Sequence, residues 1–444
     1  MRLLYSVACL SALAILPFAS ANAQNTEAEP VSPVGDTQNA QPKTPATMTG
    51  EWGGLRTDLR DAGIDVTGGY TIEAATNVSG GQRKAVRASG QFVIGATLDS
   101  QRLIGLPGGT MQVTLTYRHG SDLGAAAGLG VLQQVQEVYG RGNVPRLTQF
   151  WYQQVFAGGH ADIKLGRLTQ GEDFAPFTCS FQNLSFCGSP IGNLAGDYWY
   201  NWPISNWGAR LRVKNDTLYA MVGVYEVNPR NLDKTFTIGH FKGATGVLVP
   251  VEVGYTPRYG QQRLPGSYKL GGWYNSAKAD DLYYDINLQP RAITGLAPLR
   301  RTGRYGVYAQ FQQQLTGSAA DGPTGPTTTQ GLTAFLNITQ TDRRTTATDN
   351  QIATGIFYTG LFASRPADDF GLAVARTNVN ARTTRDLLPG TERPDAEYAA
   401  ELFYGLHLTD WLIVRPNVQY IVDPGGFKRA TDVVVLGAKS AVTF

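Results

Sequence analysis

The residues best suited to chemistry lie in one run, Gly196-Asp197-Tyr198-Trp199-Tyr200-Asn201-Trp202-Pro203, with Trp207 close behind. Four aromatics fall in five positions, interleaved with Asn and flanked by Asp. Flat apolar rings stack on the C–H faces of a sugar ring, while carboxylates, amides and guanidinium groups satisfy its hydroxyls. A passage for a neutral polyol needs both kinds of group, neither binding tightly enough to trap the solute. Glu172 and Asp173, upstream in the same stretch, either contact such a solute or balance the nearby Arg167, Arg210 and Arg212. The plainer reading is that the aromatics form an interfacial girdle or pin a loop to a wall. For Trp207 that is the expectation. For Trp199 and Trp202, pinning and solute contact both stand.

Other chemistries find little support. His119, His160, His240 and His407 are scattered, without an evident Ser or Asp partner. Gly188-Ser189-Pro190 lacks the flanking glycines of a nucleophile elbow, and H-E-x-x-H, EF-hand and phosphate-loop patterns are missing. An enzyme is therefore not expected, nor is a cofactor or metal. Cys179 and Cys187 read as a disulfide in an exported protein, stabilising by roughly 2.5 kcal/mol on the chain-entropy estimate. A zinc site would want a histidine between or beside them.

Positioning such residues requires a scaffold, and the chain describes one. Arg2, the apolar stretch Leu3 to Phe18 and Ala21-Asn22-Ala23 make residues 1–23 a signal peptide. Residues 24–48 are a Pro-, Gln- and Thr-rich lead-in with nothing to bury, and 49–444 form the folded domain. No segment is long and apolar enough for a membrane-spanning helix. Charged residues are 16% of the chain, below the roughly 25% of soluble domains, and Gly is abundant at 52. Mean hydropathy is nonetheless slightly negative. A sheet with one apolar and one polar face reconciles these. The net charge of +3 gives no argument for nucleic acid.

Period-two alternation predicts strands over 64–75, 90–100, 109–118, 146–156, 160–168, 206–214, 217–227 and 246–257. It continues over 267–277, 303–315, 331–340, 351–362, 369–377, 396–408, 411–421 and 432–444. That is sixteen segments, each near the 9–11 residues of a tilted membrane strand, after one short helix with Leu55, Leu59 and Ala62 on a shared face. Even-to-odd joins such as Ala157-Gly158-Gly159 and Thr409-Asp410 are short, whereas 119–145, 169–205 and 228–245 are long. This rhythm is that of an all-β, antiparallel outer-membrane barrel with external loops on one end; 316–330 is too long to fit it. Charged rows such as Arg210, Arg212 and Lys214 must face inward, because each Arg or Lys facing lipid at the midplane costs about 2–4 kcal/mol. Sixteen strands leave an aqueous channel, and loop 169–205 is the candidate to narrow it. The closing strand pairs with the first, ends on Phe444, and is read as placing Ser440 and Thr443 on the pore wall.

Three motifs carry a resemblance. They are Cys179-Ser-Phe-Gln-Asn-Leu-Ser-Phe-Cys187-Gly, the Gly-Asp-Tyr-Trp-Tyr-Asn-Trp-Pro run, and Glu51-Trp-Gly-Gly-Leu-Arg-Thr-Asp-Leu-Arg-Asp-Ala-Gly-Ile. With the Glu51 motif first along the chain and the other two following, the chain resembles over residues 49–444 the carbohydrate-selective porins of the OprB family. The resemblance implies a sixteen-stranded barrel that passes glucose and other small sugars into the periplasm through inward-folded loops. The expected site has Trp199 and Trp202 stacking, with Arg118, Arg167, Arg210 and Arg212 as donors. Glu172, Asp173, Asp197 and Asn201 serve as acceptors. Outer-membrane lipid and lipopolysaccharide would surround it, the assembly machinery would grip its last strand, and a homotrimer is one assembly open to it. A nonspecific or anion-preferring diffusion porin is the rival function.

Overall fold

The computed structural model describes residues 47–322, 325–387 and 390–444. The expected signal peptide and residues 24–46 of the lead-in lie outside the described residues.

Sixteen antiparallel strands close a barrel. They are β1 (Ile64–Ser79), β2 (Val86–Asp99), β3 (Gly109–Gly120), β4 (Pro145–Phe156), β5 (Ala161–Leu168), β6 (Asn206–Lys214), β7 (Leu218–Val227) and β8 (Gly246–Tyr255). There follow β9 (Leu264–Asn275), β10 (Arg304–Gln314), β11 (Gly325–Gln340), β12 (Thr348–Thr359), β13 (Asp369–Val379), β14 (Ala396–Thr409), β15 (Leu412–Val422) and β16 (Val433–Thr443). Each pairs with its sequence neighbours, and β1 pairs with β16 from Gly69↔Thr443 to Asn77↔Val435. Closure leaves the barrel no unpaired sheet edge.

Alternation sorts the faces as the charge rows require. Along β3, Gln112, Thr114, Thr116 and Arg118 are buried, whereas Leu115 and Tyr117 are exposed. Along β6, Arg210 is 4% exposed while its neighbour Leu211 is 40% exposed on the lipid side. The turns use ordinary means. Asn215 turns β6 into β7 by accepting the N–H groups of Thr217 and Leu218 at 3.0 and 2.8 Å.

Three expectations change. Among the described residues of 316–330, Ser318–Gly322 pairs with the first part of β11 and extends the wall instead of forming a loose turn. Within β11, Gly331 takes φ +120°, and a Cβ there would stand 2.1 Å from the Thr316 carbonyl oxygen. Ser440 and Thr443 lie three residues apart in a period of two, so they cannot share a wall. Ser440 sits on the outward register with Leu436 and donates its hydroxyl to Ile413 O at 3.1 Å, while Lys439 is the inward residue. The N-terminal helix, α1 (Leu55–Asp61), leaves Leu55 exposed and buries Arg56 instead. Arg56 donates to Val66 O and Thr47 Oγ1, both at 2.8 Å, tying the helix to β1.

Candidate functional site: a cavity between two inward loops

Two connections, 121–144 after β3 and 169–205 after β5, fold into the lumen. The second is held by two aromatic clusters. In one, Phe177, Phe181 and Phe186 of the loop meet Phe335, Phe357 and Phe403, which point inward from β11, β12 and β14. In the other, Phe174, Tyr198 and Trp199 meet Tyr225, Trp273 and Tyr308. Trp199 crosses Trp273 edge-to-face at 5.6 Å, and the Trp273 indole donates to Tyr198 Oη at 2.9 Å. Cys179 and Cys187 are joined as a disulfide that closes the hairpin carrying Phe181 and Phe186 of the first cluster. Glu137 lies beside the pair, but sulfurs bonded to each other offer no thiolate to a metal.

Between the loops lies a cavity of about 470 Å³. Of the expected site residues it gathers Arg118, Glu172, Asn201 and Trp202. The Trp202 indole donates to Gln91 Oε1 at 2.9 Å, and the same oxygen accepts Arg118 Nε at 2.8 Å. A Trp ring and a guanidinium are thus fixed through one wall amide. Arg118 also faces Glu137 at 3.8 Å. Asn201 donates to Ser189 O at 2.8 Å and Asn193 Oδ1 at 2.9 Å, packed where Gly171 and Gly192 leave no room for a Cβ. Glu172 accepts from Gln149 at 2.8 Å. Burial pushes its carboxyl up to about 7, opposed by Lys164 and reinforced by Asp173.

The remaining expected residues are elsewhere. Trp199 has no exposed surface, so it presents no face to a solute and serves to pin the loop. Arg167, likewise buried, donates to Ser205 O, Asn231 Oδ1 and Thr237 Oγ1 at 2.6, 3.0 and 2.9 Å, clamping the loop after β7. Arg210 is buried against Asp162 and Asp173, and Arg212 pairs with Asp162 at 2.8 Å. For Asp173, burial acts upward, but Lys164 and Arg210 outweigh it and hold the carboxyl below the usual range. Asp197 pairs with Arg304, away from the cavity lining. These positions balance charge within the wall and loop rather than line the cavity.

Glu137, Tyr139 and Arg141 of the first loop, outside the expected site, line the cavity's opposite side. Arg141 donates to Gly196 O at 2.9 Å, bridging the two loops.

The comparisons with known proteins agree with the barrel fold. The family model described as the carbohydrate-selective porin, OprB family, matches residues 83–444. Porin B of Pseudomonas aeruginosa (strain PAO1) is 40% identical over 422 residues, covering 89% of this chain and 91% of the relative. The putative porin QuiX of Acinetobacter baylyi is 30% identical over 428 residues, covering 89% and 93%. The high-pH structure of Pseudomonas putida OprB superimposes with a TM-score of 0.84 at 39% identity, over 90% of this chain and 99% of that one. The low-pH structure of the same protein gives 0.57 at 30% identity, over 90% and 98%. The family model, the relatives and the superposed barrel together make this chain a channel rather than an enzyme: it belongs to the OprB family of carbohydrate-selective porins of the outer membrane.

Proposed function

We propose that glucose and other small sugars cross by passive, saturable diffusion through the cavity between the two inward loops. Trp202 supplies the stacking face, Arg118 and Arg141 donate to hydroxyls, and Glu137 and Glu172 accept from them; the Asn201 oxygen, expected as an acceptor, is buried against Gly171 and Gly192, so Asn201 braces the loop instead. The observation that supports this most is the shared Gln91 oxygen. It presents an aromatic ring and a guanidinium together at one cavity, the pairing a polyol needs. Export by a signal peptide cleaved after Ala23, a lipopolysaccharide surround and delivery by assembly machinery that grips the strand ending in Phe444 complete this reading. A homotrimer is the assembly to test by mass in detergent.

Liposome swelling gives the functional test. Glucose should enter faster than a neutral amino acid of similar size, and Trp202→Ala should narrow the difference. Equal rates in the wild type would leave nonspecific diffusion as the function, and an unchanged ratio in the variant would remove Trp202 from the mechanism.

A further inference from the structure

The disulfide hairpin has two sides. Cys179, Leu184 and Cys187 face the cavity. The other side rests on a polar patch of three adjacent strands. Glu401 of β14 accepts the backbone N–H groups of Gln182 and Asn183 at 2.8 and 2.7 Å. On β15, Gln419 accepts from the Asn183 side chain at 3.0 Å, and Asn417 donates to Gln182 Oε1 at 2.9 Å. Lys439 of β16 donates to the carbonyls of Cys179 and Phe181 at 2.6 and 3.2 Å. Acceptor therefore meets N–H and donor meets C=O along the hairpin, and none of the four wall residues lines the cavity.

We infer that Glu401, with Gln419, Asn417 and Lys439, is a positioning group for selectivity: the wall patch fixes how far the hairpin reaches into the lumen. Apolar packing of the phenylalanines is non-directional and tolerates sliding. Hydrogen bonds to two successive backbone N–H groups do not slide, because each donor left behind would be buried without a partner. Glu252 does the same for the loop's first limb, accepting Ala175 N–H at 2.8 Å. The inference rests on the sugar-channel reading for its selectivity readout, though not for its conductance readout.

Glu401→Gln tests it in the full-length protein. The amide keeps the shape but turns an NH₂ group toward one of the two N–H donors. Single-channel recording should show excursions to a wider, higher-conductance level on the order of tenfold more often than in the wild type. Swelling assays should show a disaccharide gaining on glucose. Glu401→Ala should go further wherever it yields a heat-modifiable barrel, and Glu401→Gln decides if it does not. A merely structural role would lower the yield of folded barrel while leaving current noise and sugar ratio unchanged. Folded variants with wild-type noise and ratio would overturn the inference. Wider openings in Glu401→Gln, beside a wild type indifferent to sugar, would uphold the positioning role and sink the sugar reading instead.

Discussion

Within five residues of one loop, Tyr198, Trp199 and Tyr200 are sealed against the barrel wall, while Asn201 and Trp202 turn to the cavity. The two groups keep different company. Trp199 is packed among Phe174 and Trp273, and Tyr200 sends its hydroxyl to Asn228 O at 3.0 Å. Trp202 meets a glutamine that is itself engaged by an arginine. An aromatic ring among rings contributes burial and shape, whereas a ring held by polar groups at a cavity has a face left for a solute. Aromatic content alone therefore does not say whether a porin loop binds or merely stays put. The partner does.

The contrast can be broken by substitution. Trp199→Ala should have the largest effect, about 3–5 kcal/mol lost from docking of the loop, because a large ring leaves a void that the wall cannot fill. Thermal unfolding in detergent and a raised, noisy single-channel current would report it. Wild-type current together with a wild-type melting temperature would contradict the pinning role. Reducing the disulfide comes next, at roughly 2.5 kcal/mol on the chain-entropy estimate. Current noise should rise on reduction and settle on reoxidation, with the barrel's electrophoretic mobility unchanged throughout.

The cavity side should behave in the opposite way. Arg118→Gln removes a charged donor, so the glucose concentration that half-blocks the current should rise by roughly tenfold. Thermal stability should fall little by comparison. Trp202→Ala should raise the same concentration by about two- to tenfold, the worth of one stacking face. If either variant instead unfolds the loop as Trp199→Ala does, the division into pins and solute contacts fails.

The smallest effect concerns pH. Glu172 titrates near 7, so raising the pH from about 6 to about 8 adds negative charge to the cavity and should shift permeability toward cations. Glu172→Gln should abolish that shift. The sign for stability is fixed too. A carboxyl raised on folding contributes most below its ordinary pKa, and that contribution is lost as pH rises through about 7.

Much of the barrel was legible in the chain because each strand carries its own instruction. The period of two and the contrast between Arg210 and Leu211 are local, and so is the Asn215 turn. One join was obscured because β11 already begins at Gly325, in a Gly-Pro-Thr-Thr-Thr-Gln stretch with no apolar alternation to mark a strand. The lumen was less legible because it is built from long-range meetings. Trp199 became a pin only because Trp273 stands opposite it on β9. Arg167 was taken from the cavity by Asn231 and Thr237 of another loop. Nothing near Glu401 in the sequence says that a hairpin more than two hundred residues earlier supplies its donors.

The most direct test of the central claim, that loop 169–205 makes this barrel a sugar filter, is a glucose titration of the ion current through single wild-type channels in a planar bilayer. The current should fall and saturate with glucose, with Trp202→Ala shifting the curve to higher concentration. A current unaffected by glucose, or a curve that Trp202→Ala leaves in place, would contradict it.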